Sequence, residues 1–400
     1  MRRSLVVKDI CIIRSGKRLP KGHDFSEIET PYKYIRARDI KGGKIDDSNL
    51  AYINKETQEK ISRYIVNAGD VVITIAGTIG EIGYVTQEFD GFNLTENAIR
   101  LTDFSSDVDS QFVAYWLLLP SSHEHMTGVA AGSAQPKMGI YKVEQIPITL
   151  PDLLCQQRIV SILSAYDSLI ETNQRQIKLL EEAAQRLYRE WFVDLRFPGH
   201  EHVPVVDGVP EGWKKAKLIE VCSVLRRGIS PAYNETGAFT VISQKCIRQA
   251  IMNIGEARRQ EKEYLPELNL QDSDIVICST GTGTLGRVGQ VFGDYNRTTF
   301  DSHVTLVRAK RNPEYVYHTV KAREEYLMGM GRGSTNQQEL YRNVIEELEI
   351  LLPPEDIVIR AEQLLSNIHG RITALNNQIS GLTEARDRLL PKLMNGEIEV

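Results

Sequence analysis

The chain of 400 residues contains one sequence pattern twice. Eight residues of the first copy recur, unchanged, 202 positions later in the second. They are Arg158, Leu163, Ser164, Ile170, Ile177, Leu180, Arg186 and Leu187, which recur as Arg360, Leu365, Ser366, Ile372, Ile379, Leu382, Arg388 and Leu389. Upstream, Gly80 and Gly83 correspond to Gly286 and Gly289. Two copies of one unit imply a pseudo-two-fold axis, and duplex DNA is the commonest target with the same two-sided character.

Each copy opens with a strand-rich section and closes with a long helix. Short β-branched runs at Val71–Ile75 and Ile275–Cys278 predict strands, and short helices are predicted at Ser110–Leu119 and Pro313–Met328. We therefore predict an α+β fold in which two strand-rich domains are separated by two long antiparallel coiled-coil helices. The predicted segments are a first strand-rich domain at 1–152, a first helix at 153–196, a linker at 197–212, a second strand-rich domain at 213–354, and a second helix with a C-terminal tail at 355–400.

The two long helices are predicted from apolar residues that recur at spacings of three and four. That repeat is typical of a coiled-coil seam, because it keeps one narrow apolar stripe facing a partner helix. The alternative is that each helix packs only on its own strand-rich domain. Asn173 falls on the first stripe, where a buried polar residue can fix the register. The predicted seam comprises Leu163, Ile170, Ile177, Leu180 and Leu187 in the first helix and Leu365, Ile372, Ile379, Leu382 and Leu389 in the second.

Positive charge is concentrated at the start of each copy, although the net charge is −5. Residues 1–44 carry twelve Lys or Arg against five Asp or Glu, and residues 214–262 carry ten against four. A solvated surface would explain one such region. Two in corresponding places favour contact with a polyanion such as nucleic acid.

Other features exclude several classes of protein. The five cysteines are far apart and form no Cys-x-x-Cys pair, so we expect reduced thiols, no zinc site and a cytoplasmic location. No apolar run approaches the roughly 20 residues that a membrane helix needs.

No catalytic motif is evident. Asn312–Tyr315 has Glu where the Asn-Pro-Pro-Tyr tetrapeptide of DNA methyltransferases has its second Pro, and we interpret it as a chance match. The stretch Thr280–Gly286 lacks the Gly-Lys-Ser/Thr ending of a phosphate-binding loop and is interpreted as a tight turn, as is its counterpart at Gly77–Gly83.

Taken along the whole chain, this organisation resembles the specificity subunit of type I restriction–modification systems. The resemblance is carried by the polar loops Gly132–Gln135 and Gly333–Gln337, the helix end Arg388–Gly396, and Val209–Trp213, which opens the second strand-rich domain. The starts of the two helices, at Cys155 and Ile357, lack the Glu-Gln that the family often has there.

The resemblance implies a non-catalytic, sequence-specific DNA-binding subunit. Each strand-rich domain would be a target recognition domain for one half of a bipartite, interrupted site in double-stranded DNA. The helices would form the spacer and dock two modification (methyltransferase) subunits, which restriction (translocase and nuclease) subunits join. S-adenosylmethionine and ATP are expected in those partners, and no cofactor, metal or membrane contact is expected in this chain. The alternative is a duplicated protein-binding scaffold without DNA contact, and a diverged methyltransferase comes third.

Candidate DNA-binding residues follow from base and phosphate chemistry. Arg pairs with guanine and Asn or Gln with adenine in the major groove, whereas Lys and Arg neutralise phosphates. The candidates are Arg14, Lys17, Arg18, Arg36, Arg38 and Gln135 in the first domain and Arg226, Arg227, Lys245, Arg248, Arg287, Asn336 and Gln337 in the second.

Overall fold

The computed structural model describes residues 2–128, 138–248, 252–281, 283–331 and 338–400. The chain forms two compact units, which are described separately. Unit 1 comprises residues 1–170 and 381–400, and unit 2 comprises residues 171–380. Each unit therefore combines one strand-rich section with a stretch of both long helices. The five sequence segments given above remain predictions as domain boundaries.

Unit 1 is built on an antiparallel four-stranded sheet. Its strands are β1 (Arg3–Val6), β2 (Ile12–Ser15), β3 (Lys33–Ile35), β4 (Ile40–Lys41), β5 (Lys44–Ile45), β6 (Ala51–Tyr52), β7 (Val71–Thr74), β8 (Ile82–Tyr84), β9 (Asn93–Leu94), β10 (Ala98–Thr102) and β11 (Pro147–Leu150), and its short helices are α1 (Lys55–Lys60), α2 (Ser110–Leu117), α3 (Pro120–Gly128) and α4 (Ile140–Glu144). The main sheet has the order β2-β10-β7-β8, and a smaller sheet has the order β6-β3-β9. In the smaller sheet β3 pairs antiparallel with β6 and parallel with β9.

The first long helix, α5, runs from Leu153 to Tyr188 and continues as one π-helical turn to Val193. Asp152 caps it, because its carboxylate accepts a hydrogen bond from the Cys155 backbone N–H at 3.0 Å.

Unit 2 repeats this topology. Its strands are β12 (Val205–Val206), β13 (Val209–Pro210), β14 (Lys214–Lys217), β15 (Cys222–Arg227), β16 (Phe239–Ile242), β17 (Arg258–Gln260), β18 (Ile275–Cys278), β19 (Val288–Gln290), β20 (Thr298–Phe300), β21 (Val304–Ala309) and β22 (Glu349–Leu352), and its helices are α6 (Leu218–Val221), α7 (Pro313–Lys321), α8 (Glu324–Gly329), α9 (Arg342–Glu346) and α10 (Glu355–Asn395). The main sheet β15-β21-β18-β19 matches β2-β10-β7-β8, and the smaller sheet β17-β16-β20 matches β6-β3-β9. The duplication read from the sequence is thus a duplication of fold.

A buried arginine–aspartate pair joins two strands of the main sheet in each unit. Arg100 Nη1 lies 3.0 Å from Asp70 Oδ2 in unit 1, and Arg308 Nη2 lies 2.6 Å from Asp274 Oδ2 in unit 2. The two aspartates precede β7 and β18 at equivalent positions, whereas Arg308 lies two residues further along its strand than the position of Arg100. Side chains two residues apart on a strand share a face, so the pair persists although the arginine has moved.

The glycine-rich stretches are tight turns, as the sequence indicated. Gly80 and Gly286 have φ values of +86° and +80°, which favour glycine. A Cβ atom on Gly286 would lie 2.4 Å from the backbone nitrogen of Met328, and one on Gly80 would lie 3.2 Å from His123 Nδ1. In unit 2 the backbone of α8 therefore leaves no room for a Cβ atom on Gly286, whereas in unit 1 a Cβ atom on Gly80 would be tight against the His123 side chain.

The two long helices are antiparallel within each unit. In unit 2, Ile177 packs with Ile372 and Leu375, and Asn173 Nδ2 donates a hydrogen bond to Gln378 Oε1 at 3.3 Å. In unit 1, Arg386 Nη1 donates to Asp167 Oδ1 at 2.7 Å. The predicted fold class is therefore confirmed.

The predicted seam residues differ in burial. Leu163, Ile170, Ile177, Leu365 and Ile372 are buried, whereas Leu180, Leu187, Ile379, Leu382 and Leu389 are partly buried. Leu163 also belongs to the core of the strand-rich part of unit 1, together with Ile146 and Ile148. The helices thus pack both on each other and on the strand-rich sections.

Candidate nucleic-acid interface

Four candidate residues occupy two pairs of equivalent positions in the duplicated fold. Arg14 on β2 and Arg226 on β15 take the same place in the main sheet, opposite Arg100 and Leu306. Arg38 and Lys245 each lie three residues after the end of β3 and β16, respectively. All four candidates are exposed. The fold therefore presents cations at repeated surface positions.

The candidates differ in whether a carboxylate neutralises them. Arg14, Arg18, Arg36, Arg38, Arg226 and Arg227 are paired with Asp103, Glu96, Asp39, Asp39, Glu267 and Glu339, respectively. Lys17, Lys245, Arg248 and Arg287 make no ion pair with any residue in the described part of the chain. Gln135, Asn336 and Gln337 lie outside the described residues.

A surface cavity of 560 Å³ in unit 1 brings Lys17 and Arg18 together. Its lining also includes Glu96 and residues 138–140. Arg18 Nε donates to Glu96 Oε1 at 2.6 Å. Burial alone would raise the pKa of Glu96, but hydrogen bonds from Arg18, from its own backbone and from Thr95 lower it below the usual value. The wall of the cavity therefore carries one cation that is neutralised and one, Lys17, that is not.

Two candidates are partly buried and are bonded within their own domains. Arg36 donates two hydrogen bonds to Asp39 and one to the Asn49 carbonyl oxygen, and its side chain is 19% exposed. Arg227 pairs with Glu339, and its Nε is buried without a hydrogen-bond partner in the described residues. These guanidiniums hold neighbouring loops in place, so a phosphate would have to displace existing bonds.

The structure adds three cations that the sequence-based candidates lack. Lys33, Arg258 and Arg297 make no ion pair with any described residue, and each lies over an aromatic ring. The distances to the ring centroids are 5.3 Å for Lys33 over Phe92, 3.6 Å for Arg258 over Tyr233 and 5.9 Å for Arg297 over Phe239. Lys17 is held in the same way, 5.6 Å from the ring of Tyr64.

Two of these cation–ring pairs, Lys33 with Phe92 and Arg297 with Phe239, belong to the small sheet of their unit. Lys33 starts β3 and Phe92 precedes β9, whereas Phe239 starts β16 and Arg297 precedes β20. The strands β3 and β9 are parallel, as are β16 and β20. The cation and the ring have thus exchanged strands between the units, while the pair stays at the same end of the sheet. A ring face orients a cation without neutralising its charge, which leaves it able to bind an anion.

The tetrapeptide Asn312–Tyr315 does not form an open site. It starts α7, and Glu314 and Tyr315 are both 2% exposed. Within the described residues, no group of three or more His, Cys, Asp or Glu side chains could hold a metal ion. None of the helices in that part of the chain combines the length and apolarity needed to cross a membrane.

Comparison with known proteins identifies the family. Residues 5–182 and 210–380 match the type I restriction modification DNA specificity domain. The protein therefore belongs to the family of type I restriction–modification specificity subunits, which are the non-catalytic DNA-recognition components of their complexes.

Individual relatives agree with this assignment over most of their length. The chain is 22% identical over 364 residues to the MjaIX specificity subunit of Methanocaldococcus jannaschii, covering 87% of this chain and 82% of that protein. It is 22% identical over 411 residues to the HindI specificity subunit of Haemophilus influenzae, covering 83% and 87%. The crystal structure of a type I S subunit from M. genitalium shares the fold, with a TM-score of 0.58, 16% identity, and coverage of 98% of this chain and 96% of that one.

Proposed function

We propose that this chain reads a bipartite, interrupted site in double-stranded DNA, one half with each strand-rich domain, and docks two methyltransferase subunits through its long helices. The supporting observation is the repeated cation–ring pair, Lys33 with Phe92 and Arg297 with Phe239, at the same end of the small sheet in both units. S-adenosylmethionine and ATP would be bound by the methyltransferase and restriction subunits that join this chain.

Phosphate neutralisation gives the proposal a measurable consequence. A bound phosphate releases condensed counterions, so the logarithm of affinity falls with the logarithm of salt concentration, with a slope of about −0.9 per neutralised phosphate. A cation that is already paired with a carboxylate neutralises a phosphate less effectively, so its binding releases fewer counterions from the DNA. The unpaired cations should therefore dominate the slope.

We expect Lys17→Gln with Lys33→Gln, and separately Arg258→Gln with Arg297→Gln, to reduce the magnitude of the salt slope by about 2 each. The measurement is fluorescence anisotropy with duplex DNA between roughly 50 and 200 mM salt, using the chain assembled with its methyltransferase subunits. The matched control is Lys55→Gln with Lys60→Gln, which removes two lysines paired with Glu59 and Glu56 on α1. Equal slopes in all three double variants would contradict the proposal.

Exposed apolar side chains on the long helices provide positions for testing the docking part of the proposal. Leu154 and Leu179 on α5 are 69% and 65% exposed, and Leu364 on α10 is 46% exposed. Isolated exposed apolar residues are common on protein surfaces, so these three serve as positions at which the proposed docking is tested. We expect Leu154→Glu and Leu179→Glu to reduce co-purification of the methyltransferase subunit, whereas Lys178→Glu, beside Leu179, should not. If the wild-type chain binds the methyltransferase subunits but the assembled complex does not bind DNA, the alternative of a protein-binding scaffold is favoured.

A further inference from the structure

One position of the repeat, 202 residues apart on the two long helices, is polar in both copies, but the two residues have opposite chemistry. In unit 1 it is Asp167, which accepts hydrogen bonds from the Tyr115 hydroxyl at 2.5 Å and from Arg386 at 2.7 Å. In unit 2 it is His369, which is 6% exposed. In unit 1 the helix therefore contacts the strand-rich section through a carboxylate that is paired with an arginine. In unit 2 it does so through a histidine, whose charge depends on pH.

His369 lies among carboxylates from several elements. Its Nε2 is 2.9 Å from Asp272 Oδ1, in the loop before β18. Its Nδ1 is 3.4 Å from Glu314 Oε1 on α7, without the alignment of a hydrogen bond, and has no other partner among the described residues. The ring stacks on Phe292, after β19, with centroids 4.4 Å apart and planes at 13°. Glu362, on α10 itself, adds a further negative charge nearby.

The same carboxylates fix the start of α7. Glu314 is 2% exposed and accepts hydrogen bonds from Gln290 Nε2 at 2.9 Å and Ser273 Oγ at 2.7 Å. Glu362 accepts the backbone N–H groups of Glu314 and Tyr315 at 3.2 and 2.9 Å. Helix α10 thus holds α7 by capping it with Glu362 and by placing the imidazole of His369 between Glu314 and the Asp272 loop.

The charge of this cluster depends on one proton. With an imidazolium, His369 lies between two carboxylates and offsets one of them. When the ring is neutral, the carboxylates of Asp272 and Glu314 have no cation between them, and the lone pair of Nδ1 faces Glu314. Glu314 is 2% exposed, so its charge is unfavourable without a cation beside it, and loss of the proton weakens the contact between α7 and α10.

The pKa directions agree with the geometry. Burial alone would lower the pKa of His369, but the hydrogen bond to Asp272 and the charges of Glu314, Asp272 and Glu362 raise it above its ordinary value. Burial raises the pKa of Glu314, and the charge of His369 opposes that rise. His318, one turn further along α7, has its pKa lowered to about 4 by burial and by the charges of His369 and Lys321, so it is neutral near pH 7.

We propose that His369 is a positioning residue that seats α7 and the Asp272 loop of the second strand-rich domain on α10, and that this seat requires the protonated imidazole. The seat itself follows from the contacts within unit 2. Its consequence for DNA rests on the proposed function, because a loosened second domain would bind its half-site less well.

The expected pH dependence has a definite sign. A group whose folded-state pKa is raised contributes stability that is present below its unfolded pKa, about 6.5 for histidine, and is lost as pH rises through the folded pKa. The raised pKa of Glu314 acts in the same direction. The lowered pKa of Asp272 acts only in acid, below its ordinary value of 3.8. Between pH 6 and pH 9 the seat should therefore weaken as pH rises.

The test compares thermal unfolding of the full chain from pH 6 to pH 9. His369→Gln should unfold about 2–4 °C below wild type at pH 6, and this gap should close toward pH 9. The matched control is His202→Gln, at an exposed histidine of the linker, which should show no such gap. Asp272→Asn should move the loss of wild-type stability to lower pH, because it removes the hydrogen-bonded carboxylate that raises the pKa of His369.

Two outcomes would contradict this role of His369. One is a difference in unfolding temperature between His369→Gln and wild type that does not depend on pH. The other is an Asp272→Asn protein that loses stability at the same pH as wild type. Affinity of the assembled complex for DNA is measured over the same pH range. We expect wild type, but not His369→Gln, to lose several-fold affinity as pH rises. If the unfolding profiles behave as expected but no form binds DNA, the proposed function fails while the seat stands.

Discussion

At the scale of single residues, the partner of a charge decides its role. Asp274 is buried before β18, and its pKa is raised by burial although Arg308 opposes that rise through hydrogen bonds and charge. Arg308 is also tied to the carbonyl oxygens of Glu267 and Asn269 at 2.9 and 2.8 Å. A guanidinium with this many internal bonds stabilises the fold and is not available to a ligand.

We expect Asp274→Asn to lower the free energy of unfolding of unit 2 by about 3 kcal/mol, because it leaves the largely buried Arg308 side chain without its counter-charge. Urea unfolding measures the change. Asp103→Asn is the control, since Asp103 pairs with Arg14 at 3.5 Å and both side chains are more than half exposed; its effect should stay within about 1 kcal/mol. Equal losses in the two variants would show that burial does not set the value of these pairs.

The sequence predicted which cations would reach the surface better than it predicted which of them would have no carboxylate partner there. The carboxylates that neutralise Arg14, Arg18, Arg226 and Arg227 lie 89, 78, 41 and 112 residues away along the chain. No local pattern reports such pairs, because they form only when strands from distant segments meet. Lys33, Arg258 and Arg297 were missed for the same reason, since the sheet brings the rings of Phe92, Tyr233 and Phe239 to them.

At the scale of elements, local periodicity carried the prediction of the long helices. A repeat of three and four residues depends only on neighbours along the chain, so it was visible without the fold. The π-helical turn at Arg189–Val193 was not predicted, because it accompanies an aromatic cluster assembled from distant segments. There Phe192 lies 4.8 Å from Tyr315 and 6.0 Å from Trp213, measured between ring centroids.

Packing between the helices gives a prediction for the second one. Leu375 is fully buried against Ile177 in unit 2, so Leu375→Ala should lower the free energy of unfolding by about 2–5 kcal/mol through lost burial and a residual cavity. Leu364→Ala, at a 46% exposed position of the same helix, should change it by about 0.5 kcal/mol or less. Chemical denaturation of both variants decides the matter, and a Leu375→Ala protein as stable as wild type would show that the helices do not depend on this contact.

At the scale of the whole molecule, each unit has its own core, which bears on how specificity is divided. The core of unit 1 is built from residues 1–170 and 381–400, so replacing residues 213–354 leaves it intact. The replaced section is not free of constraints at its ends. Trp213 packs on Phe197 with ring centroids 5.1 Å apart, and Tyr315 packs on Phe192, and both phenylalanines belong to the retained chain.

These contacts define a sharp exchange experiment. Residues 213–354 are replaced by the matching section of a relative that keeps an aromatic residue at the positions of Trp213 and Tyr315. We expect the methylated sequence to change in one half-site and to stay the same in the other. The residues that would contact the first half-site lie in unit 1, whose core the exchange does not disturb. Methylome sequencing of a host that carries the chimaera reads out both halves, and the reciprocal exchange of residues 1–152 should change the other half.

A donor that lacks the two aromatic residues should instead yield an unstable second unit, which separates a packing failure from altered recognition. Changes in both half-sites of a stably folded chimaera would mean that the two domains do not recognise DNA independently.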